Sequence, residues 1–254
     1  MLTLDGVVKS FGGLMAVDQV SFELGDVGIT GLVGPNGSGK TTLFHLITGF
    51  YRADRGEIRL GDRRITGLPP HVISRAGLVR TFQHTRILPF LTVTENLLAA
   101  APRQRGENLL PVLLTPRRVA ADEAKLRDKA DRILSLLKLD LMADALGGRL
   151  SYGQGKLLEL GRVLMADPRL VLLDEPTAGI NPTLIRRLVE AIGRLVEDGI
   201  RIFLIEHNMP LVSELCDRVL VMDAGALIFE GTPAAARSDE RVIEAYLGRS
   251  SHVA

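Results

Sequence analysis

Two short stretches of this sequence carry residue types able to do chemistry. The first is Gly34-Pro35-Asn36-Gly37-Ser38-Gly39-Lys40-Thr41, which fits G-x-x-x-x-G-K-[ST] and lies between an apolar segment, residues 27–33, and a helical pattern over residues 41–48. The glycines let the backbone curl so that successive N–H groups point inward as an anion cradle. A following helix N-terminus adds partial positive charge, Lys40 can reach terminal phosphates, and the Thr41 hydroxyl can ligate Mg²⁺. These residues read as a nucleoside triphosphate site. A simple Gly-rich turn is the competing reading, and companion motifs must decide between them. The second stretch, Leu170-Val171-Leu172-Leu173-Asp174-Glu175, supplies one: four apolar residues suit a strand buried on both faces, and two carboxylates end it where open α/β sheets place ligands. Adjacent carboxylates can divide the work, Asp174 holding Mg²⁺ through water and Glu175 polarising the water that attacks a γ-phosphate.

Apolar strands alternating with helices must position these groups, which predicts an α/β protein with a mainly parallel sheet covered on both faces. Residues 2–24 read as strands around a turn at Gly12-Gly13, residues 57–60 as another short strand, and residues 73–82 lead into Gln83. Residues 94–101 are helix-like, and residues 102–118 are interrupted by Pro102, Gly106, Pro111 and Pro116. Residues 119–139 form a strongly helical stretch: Leu126, Ala130, Ile133, Leu134 and Leu137 share one face, with Arg127, Asp128, Asp131 and Arg132 largely opposite. That helix has no strand companions, so a helical subdomain over about residues 86–156 is expected to interrupt a core formed by about 1–85 and 157–254. The core resumes with helices over 157–166 and 182–196, a strand over 201–205, a hairpin of 218–222 and 226–230 around Asp223-Ala224-Gly225, and a terminal helix over 241–247.

Composition narrows the classes. The 254 residues are 46% hydrophobic and 24% charged, as an ordinary globular domain requires. Thirty-one basic and 30 acidic residues leave a net charge of +1, so no global field recruits nucleic acid. The basic pairs Arg63-Arg64 and Arg117-Arg118 read as solvated surface. The single cysteine, Cys216, excludes an internal disulfide framework and reads as a small core hydrophobe. Residues 1–10 carry charges and no apolar signal region, and no apolar run approaches the roughly 20 residues of a membrane helix. Any membrane role is therefore expected to come through a partner. His45, His71, His84 and His252 have no metal-like spacing and receive no role.

A third motif, Leu150-Ser151-Tyr152-Gly153-Gln154, precedes a helical pattern and offers another helix N-terminus to an anion. Together with the two stretches above it resembles the signature of the ATP-binding cassette (ABC) family, usually L-S-G-G-Q, with Tyr152 in place of the first glycine. The resemblance implies a P-loop NTPase fold of ABC ATPase type: a RecA-like, mainly parallel core with N-terminal antiparallel strands and an inserted helical subdomain. It implies ATP and Mg²⁺ as ligands, bound by Phe11 stacking on adenine and by Gly34 to Thr42, the latter including Thr42 itself. Thr41, Asp174 and Gln83 would serve the metal. Gln83 would also sense the attacking water and couple to a transport partner, and His207 would hydrogen-bond the γ-phosphate beside the base Glu175. Ser151, Tyr152, Gly153 and Gln154 would face ATP held by a second subunit. Ala178, Gly179 and Asn181 occupy the D-loop, often S-A-L-D, with Asn181 replacing aspartate. Asn181 before Pro182 also reads as a helix N-cap.

Within the family, Val79-Arg80-Thr81-Phe82-Gln83-His84-Thr85-Arg86, Thr92 to Leu98, Ile205 to Met209 and Ala245 to Gly248 resemble the ATP-binding subunits of bacterial branched-chain amino-acid importers. That implies ATP-driven closure of a homo- or heterodimer. The partners would be integral membrane permease subunits, a second ATP-binding subunit and, indirectly, a solute-binding protein, with no nucleic acid. The expected location is peripheral, on the cytoplasmic face of the inner membrane. Importers of urea or short amides share much of the pattern, and a soluble, non-transport ABC ATPase of the iron–sulfur assembly kind is the alternative from another class.

Overall fold

The structure, a computed structural model, describes residues 1–25, 28–81, 87–102 and 115–247. Among the described residues, ten strands form two sheets. In the first, β1 (Leu2–Phe11) pairs antiparallel with β2 (Leu14–Leu24) and with β4 (Arg55–Leu60), and β5 (Arg63–Arg64) extends β4. In the second, the order is β10-β9-β3-β8-β7-β6. There β3 (Ile29–Val33), β6 (Leu78–Arg80), β7 (Leu170–Asp174), β8 (Arg201–Ile205) and β9 (Arg218–Asp223) run parallel, and β10 (Ala226–Gly231) closes a hairpin on β9. The antiparallel N-terminal sheet and mainly parallel core are those the sequence predicts.

Every residue of β3 and β7 is buried, as their unbroken apolar runs require of strands covered on both faces. The strands are tied in register from Leu170↔Arg201 to Asp174↔Ile205 and from Ile29↔Ile202 to Leu32↔Ile205. One strand, β8, therefore separates the loop-bearing β3 from the carboxylate-bearing β7. All five parallel strands point their carboxyl ends to one edge. Phe203 of β8 packs against Phe44 and Phe22, at centroid separations of 5.0 and 5.7 Å, which joins the two sheets in one core.

By packing, the chain divides into two compact units. One comprises residues 1–80, 169–176 and 195–254 and holds both sheets; the other comprises 81–168 and 177–194 and is helical. This division assigns residues 157–168 and 177–194 to the helical unit, whereas the sequence pattern places the return to the core at about 157. The reason is local to the second unit. Its helices α3 (Val93–Leu98), α4 (Pro116–Leu136) and α5 (Tyr152–Leu164) meet at Gly161, where an added Cβ would lie 2.9 Å from Leu97 and Leu137 and 3.0 Å from Ile133. On α4 the buried residues include Ala130, Ile133 and Leu134, and Arg127, Asp128, Asp131 and Arg132 are exposed, as the periodicity predicts. Helix α5 begins at Tyr152, earlier than the apolar pattern alone suggests, because Ser151 and Gln154 form a reciprocal capping box. Most of the proline-interrupted segment lies outside the described residues.

Phe203 is fully buried, so Phe203→Ala should leave a cavity between the sheets and cost about 3–5 kcal/mol. Chemical denaturation checks this; a loss under about 1 kcal/mol would contradict the placement of Phe203 at the junction.

Candidate functional site

The edge formed by the carboxyl ends of the parallel strands carries most of the residues singled out in the core. The loop after β3 turns through Gly34 and Gly37 with φ of 147° and 76°, and Gly39, at φ 100°, leads into α1 (Lys40–Ile47). Two of these glycines are required by space as well as by conformation. A Cβ at Gly34 would lie 2.1 Å from the Met222 carbonyl oxygen, and one at Gly39 would lie 2.2 Å from that of Ala16. The loop is also pinned from the β9–β10 turn, where the Gly225 N–H donates to the Ser38 carbonyl at 3.1 Å. Helix α1 has no side-chain cap and no acidic residue in its first turn, which leaves its N-terminal N–H groups and partial positive charge for an anion. Lys40 is buried, and its Nζ donates to the Gly34 carbonyl (2.9 Å), the Pro35 carbonyl (2.8 Å) and Ser38 Oγ (3.2 Å). The loop thus curls around its own lysine.

A cleft of about 450 Å³ opens on this loop, within the usual size for a small-molecule site. Asn36, Gly37, Gly39, Lys40, Thr41 and Thr42 form one wall, and Phe11, Leu14, Met15 and Ala16 another. Glu175, His207 and Ala224 complete it. Predicted phosphate-binding residues, the aromatic, the carboxylate and the histidine therefore share one cavity, although they span 197 positions from Phe11 to His207 in separate segments of the chain.

Glu175 and His207 follow the adjacent strands β7 and β8, and their side chains meet: His207 Nε2 lies 2.7 Å from Glu175 Oε1. Glu175 has φ 47°, a left-handed conformation uncommon for a residue with a Cβ, and its N–H is anchored to the Ile205 carbonyl at 3.0 Å. That kink, which the motif did not reveal, turns the carboxylate out of the sheet and into the cleft beside His207.

Asp174 behaves differently. It is 1% exposed, and Arg80 Nη2 donates to its Oδ2 at 2.5 Å. The pairing follows from register. Arg80 of β6 lies opposite Leu172 of β7, so Asp174, two residues on, projects from the same face. The guanidinium also lies over the Phe44 ring at 5.7 Å. Sequence reasoning missed Arg80, although a charge in an otherwise apolar strand pattern was the available signal. Nearby, burial and then the Arg80 charge hold the His45 imidazole below its ordinary range, against the opposing pull of Asp174. The Cys216 thiol, pushed up to about 12 by burial and then by Asp217 and Glu206, is the inert core group the composition suggested.

Phe11 is 44% exposed at the end of β1, available to a flat ligand, and two further residues hold it. Tyr51 meets its ring edge-on at 5.3 Å and in turn packs on His45 of α1 at 4.8 Å. Asp54 accepts from Lys9 Nζ (2.7 Å), the Ser10 N–H (2.8 Å) and Ser10 Oγ (3.0 Å). Neither Tyr51 nor Asp54 stood out in the sequence, because each acts through a strand some forty residues away.

In the helical unit, Ser151 and Tyr152 are exposed, and Gly153 is buried where a Cβ would lie 2.4 Å from Leu184. The Tyr152 ring covers Gly179, which has φ 73°, and Lys156 Nζ lies 5.8 Å from the ring centroid. Ala178, Gly179 and Asn181 are exposed, and Asn181 Oδ1 accepts the Leu184 N–H, the N-cap role its position before Pro182 predicts. Gln83 lies outside the described residues.

The chain matches the ABC transporter family over residues 17–178 and the branched-chain amino acid ATP-binding cassette transporter family over residues 226–252. It is 39% identical over 251 residues to the high-affinity branched-chain amino acid transport ATP-binding protein BraF of Pseudomonas aeruginosa, with 98% of each chain covered. It is 40% identical over 251 residues, again 98% of each, to the corresponding protein LivG of Escherichia coli K12. Among solved structures, it resembles a nucleotide-free ATP-binding cassette from an ABC transporter (TM-score 0.83, 37% identity, 98% of this chain and 99% of that one). It also resembles an ABC transporter cassette in its ADP conformation (TM-score 0.82, 35% identity, 98% of each).

The Asp54 clasp gives a pH prediction. Hydrogen bonds from Lys9 and then Ser10 lower its pKa from 3.8 to about 2. A folded-state pKa below the unfolded one means that the clasp stabilises fully above about pH 4 and is lost as the pH falls toward 2. NMR titration of the Asp54 carboxyl should give a midpoint near 2, and one at or above 3.8 would remove the clasp.

Proposed function

Because the chain belongs to the ABC transporter family, with relatives named as branched-chain amino acid transport ATP-binding proteins, we propose that it is the ATP-hydrolysing subunit of a branched-chain amino-acid importer. One observation carries the enzymatic part: the phosphate loop, Glu175 and His207 line a single cleft, with Glu175 and His207 in hydrogen-bond contact. In this reading adenine stacks on Phe11, which Tyr51 backs and the Asp54 clasp holds in place. The phosphates lie on the N–H groups of Gly37 to Thr42, and Lys40 exchanges its carbonyl partners for phosphate oxygens, a stronger charge-assisted bond. Glu175 takes a proton from the attacking water, and His207, within reach of the same carboxylate, orients it and contacts the γ-phosphate.

The donor set suits Mg²⁺, a hard cation that favours octahedral oxygen coordination: the Thr41 hydroxyl opens α1 and the Asp174 carboxylate ends β7. Thr41 and Asp174, with Gln83 as expected from the resemblance, would hold the ion, which when bound neutralises charge on the phosphates.

Each chain in this reading supplies half of two sites. Ser151, Gly153 and the α5 N-terminus face ATP bound by a second ATP-binding subunit, identical or related, beside the exposed Ala178 to Asn181 loop. Closure around ATP drives permease subunits in the membrane, and hydrolysis reopens the pair. No helix among the described residues is long and apolar enough to cross a membrane, so attachment to the cytoplasmic face is assigned to those permeases. The amino acid itself is read by the permeases and a solute-binding protein.

Glu175→Gln keeps the shape of the site and removes its base. Turnover should fall about 10²–10⁴-fold while ATP binding persists and a closed dimer accumulates on size exclusion. Unchanged hydrolysis would refute the assignment of the base. Lys40→Ala should weaken ATP binding at least tenfold by calorimetry, since it removes a charge-assisted contact to phosphate. Copurification of the wild-type chain with hydrophobic permeases tests transport, and association only with soluble scaffold proteins would overturn it.

A further inference from the structure

The carboxylate expected to serve the metal is already occupied. Asp174 and Arg80 are nearly inaccessible, with side chains 1% and 6% exposed, and they form a direct charge-assisted bond of 2.5 Å. A buried carboxylate left without a countercharge is strongly disfavoured, and the Arg80 guanidinium supplies one to Asp174.

Arg80 is not held as a structural arginine usually is. A guanidinium offers five N–H donors, yet among the described residues its Nε and Nη1 have no hydrogen-bond partner. Its hold is Asp174 on one side and the face of Phe44 on the other. It also ends β6, where it lies opposite Leu172 of β7.

A divalent cation at Asp174 and a guanidinium on the same carboxylate would repel each other within a poorly screened, buried environment. We propose that Arg80 is a displaceable countercharge: it pairs with Asp174 through Oδ2, and Mg²⁺ arriving with nucleotide and held by the same carboxylate through water competes with that pairing. Arg80 is thus a positioning residue whose pairing sets the Mg²⁺ concentration at which nucleotide becomes tightly held. This inference rests on the reading of Asp174 as a magnesium-serving carboxylate.

The test is a Mg²⁺ titration of the full-length protein with a fluorescent ATP analogue, reading bound nucleotide rather than turnover. Arg80→Met, similar in length and uncharged, should lower the half-saturating Mg²⁺ concentration about tenfold, the factor set by loss of a competing hydrogen bond to a charged group. Affinity for the analogue in EDTA should stay within about twofold, since no competing cation is then involved. The rise in melting temperature on adding Mg²⁺ to the nucleotide-bound protein should be larger in Arg80→Met than in wild type, because the metal then replaces the charge that Arg80 supplied. A variant damaged only in structure would bind less well in both conditions. If Arg80→Met fails to fold, Arg80→Gln retains a hydrogen bond to Asp174 without the charge and should shift the midpoint in the same direction. Asp174→Asn separates the two readings. If it raises the Mg²⁺ requirement while Arg80→Met leaves that requirement unchanged or increases it, the displacement is overturned and the role of Asp174 stands. If Asp174→Asn leaves the Mg²⁺ dependence untouched, the metal reading fails and the displacement fails with it.

Discussion

The parallel register of the central sheet is the constraint on which the rest of this protein depends. Strands β3, β8, β7 and β6 lie side by side, and each ends at the same edge with a group that matters: the phosphate loop, His207, the pair Asp174-Glu175, and Arg80. A slip of one residue would turn every strand side chain to the opposite face. Such a slip is blocked by burial on both faces, since β3 and β7 have no exposed position to accept a misplaced polar group. Precision at the edge is therefore inherited from apolar packing behind it, including the Phe22, Phe44 and Phe203 cluster that joins the sheets.

On that edge, the buried Lys40 and Asp174 sit in surroundings that screen charge poorly, and the structure satisfies them internally. Lys40 is wrapped by loop carbonyls, Asp174 by Arg80, and Glu175 by His207. Each arrangement places a group where its ligand-bound partner is expected, at little cost of unsatisfied charge. In the proposed function, ligand binding is then an exchange of partners in place of a search for conformations.

The helical unit uses a different device. Its signature turn is shaped by a capping box and by close packing at Gly153, where an added Cβ would lie 2.4 Å from Leu184 Cδ1. Tyr152 departs from the usual glycine without disturbing either feature, because its ring lies outward over Gly179 and toward Lys156. The same logic applies to Asn181, which keeps the capping oxygen of an aspartate while lacking its charge.

Much of this was legible in the sequence where chemistry is local. The phosphate loop, the apolar strand ending in Asp174-Glu175, the amphipathic α4 and the β9–β10 hairpin are each encoded within a few adjacent residues, since turn sterics, helical periodicity and strand burial act over that range. The roles of Tyr51 and Asp54 were hidden, because they brace Phe11 from the connection between α1 and β4, some forty residues away. The left-handed kink at Glu175 was hidden as well, because only the anchoring of its N–H to Ile205 makes it tolerable. What the sequence determined by itself was which groups could bind a nucleoside triphosphate and which elements would carry them. Tertiary structure alone decided which charges face one another, above all Arg80 and Asp174, because an ion pair between neighbouring strands depends on a register that no single segment contains.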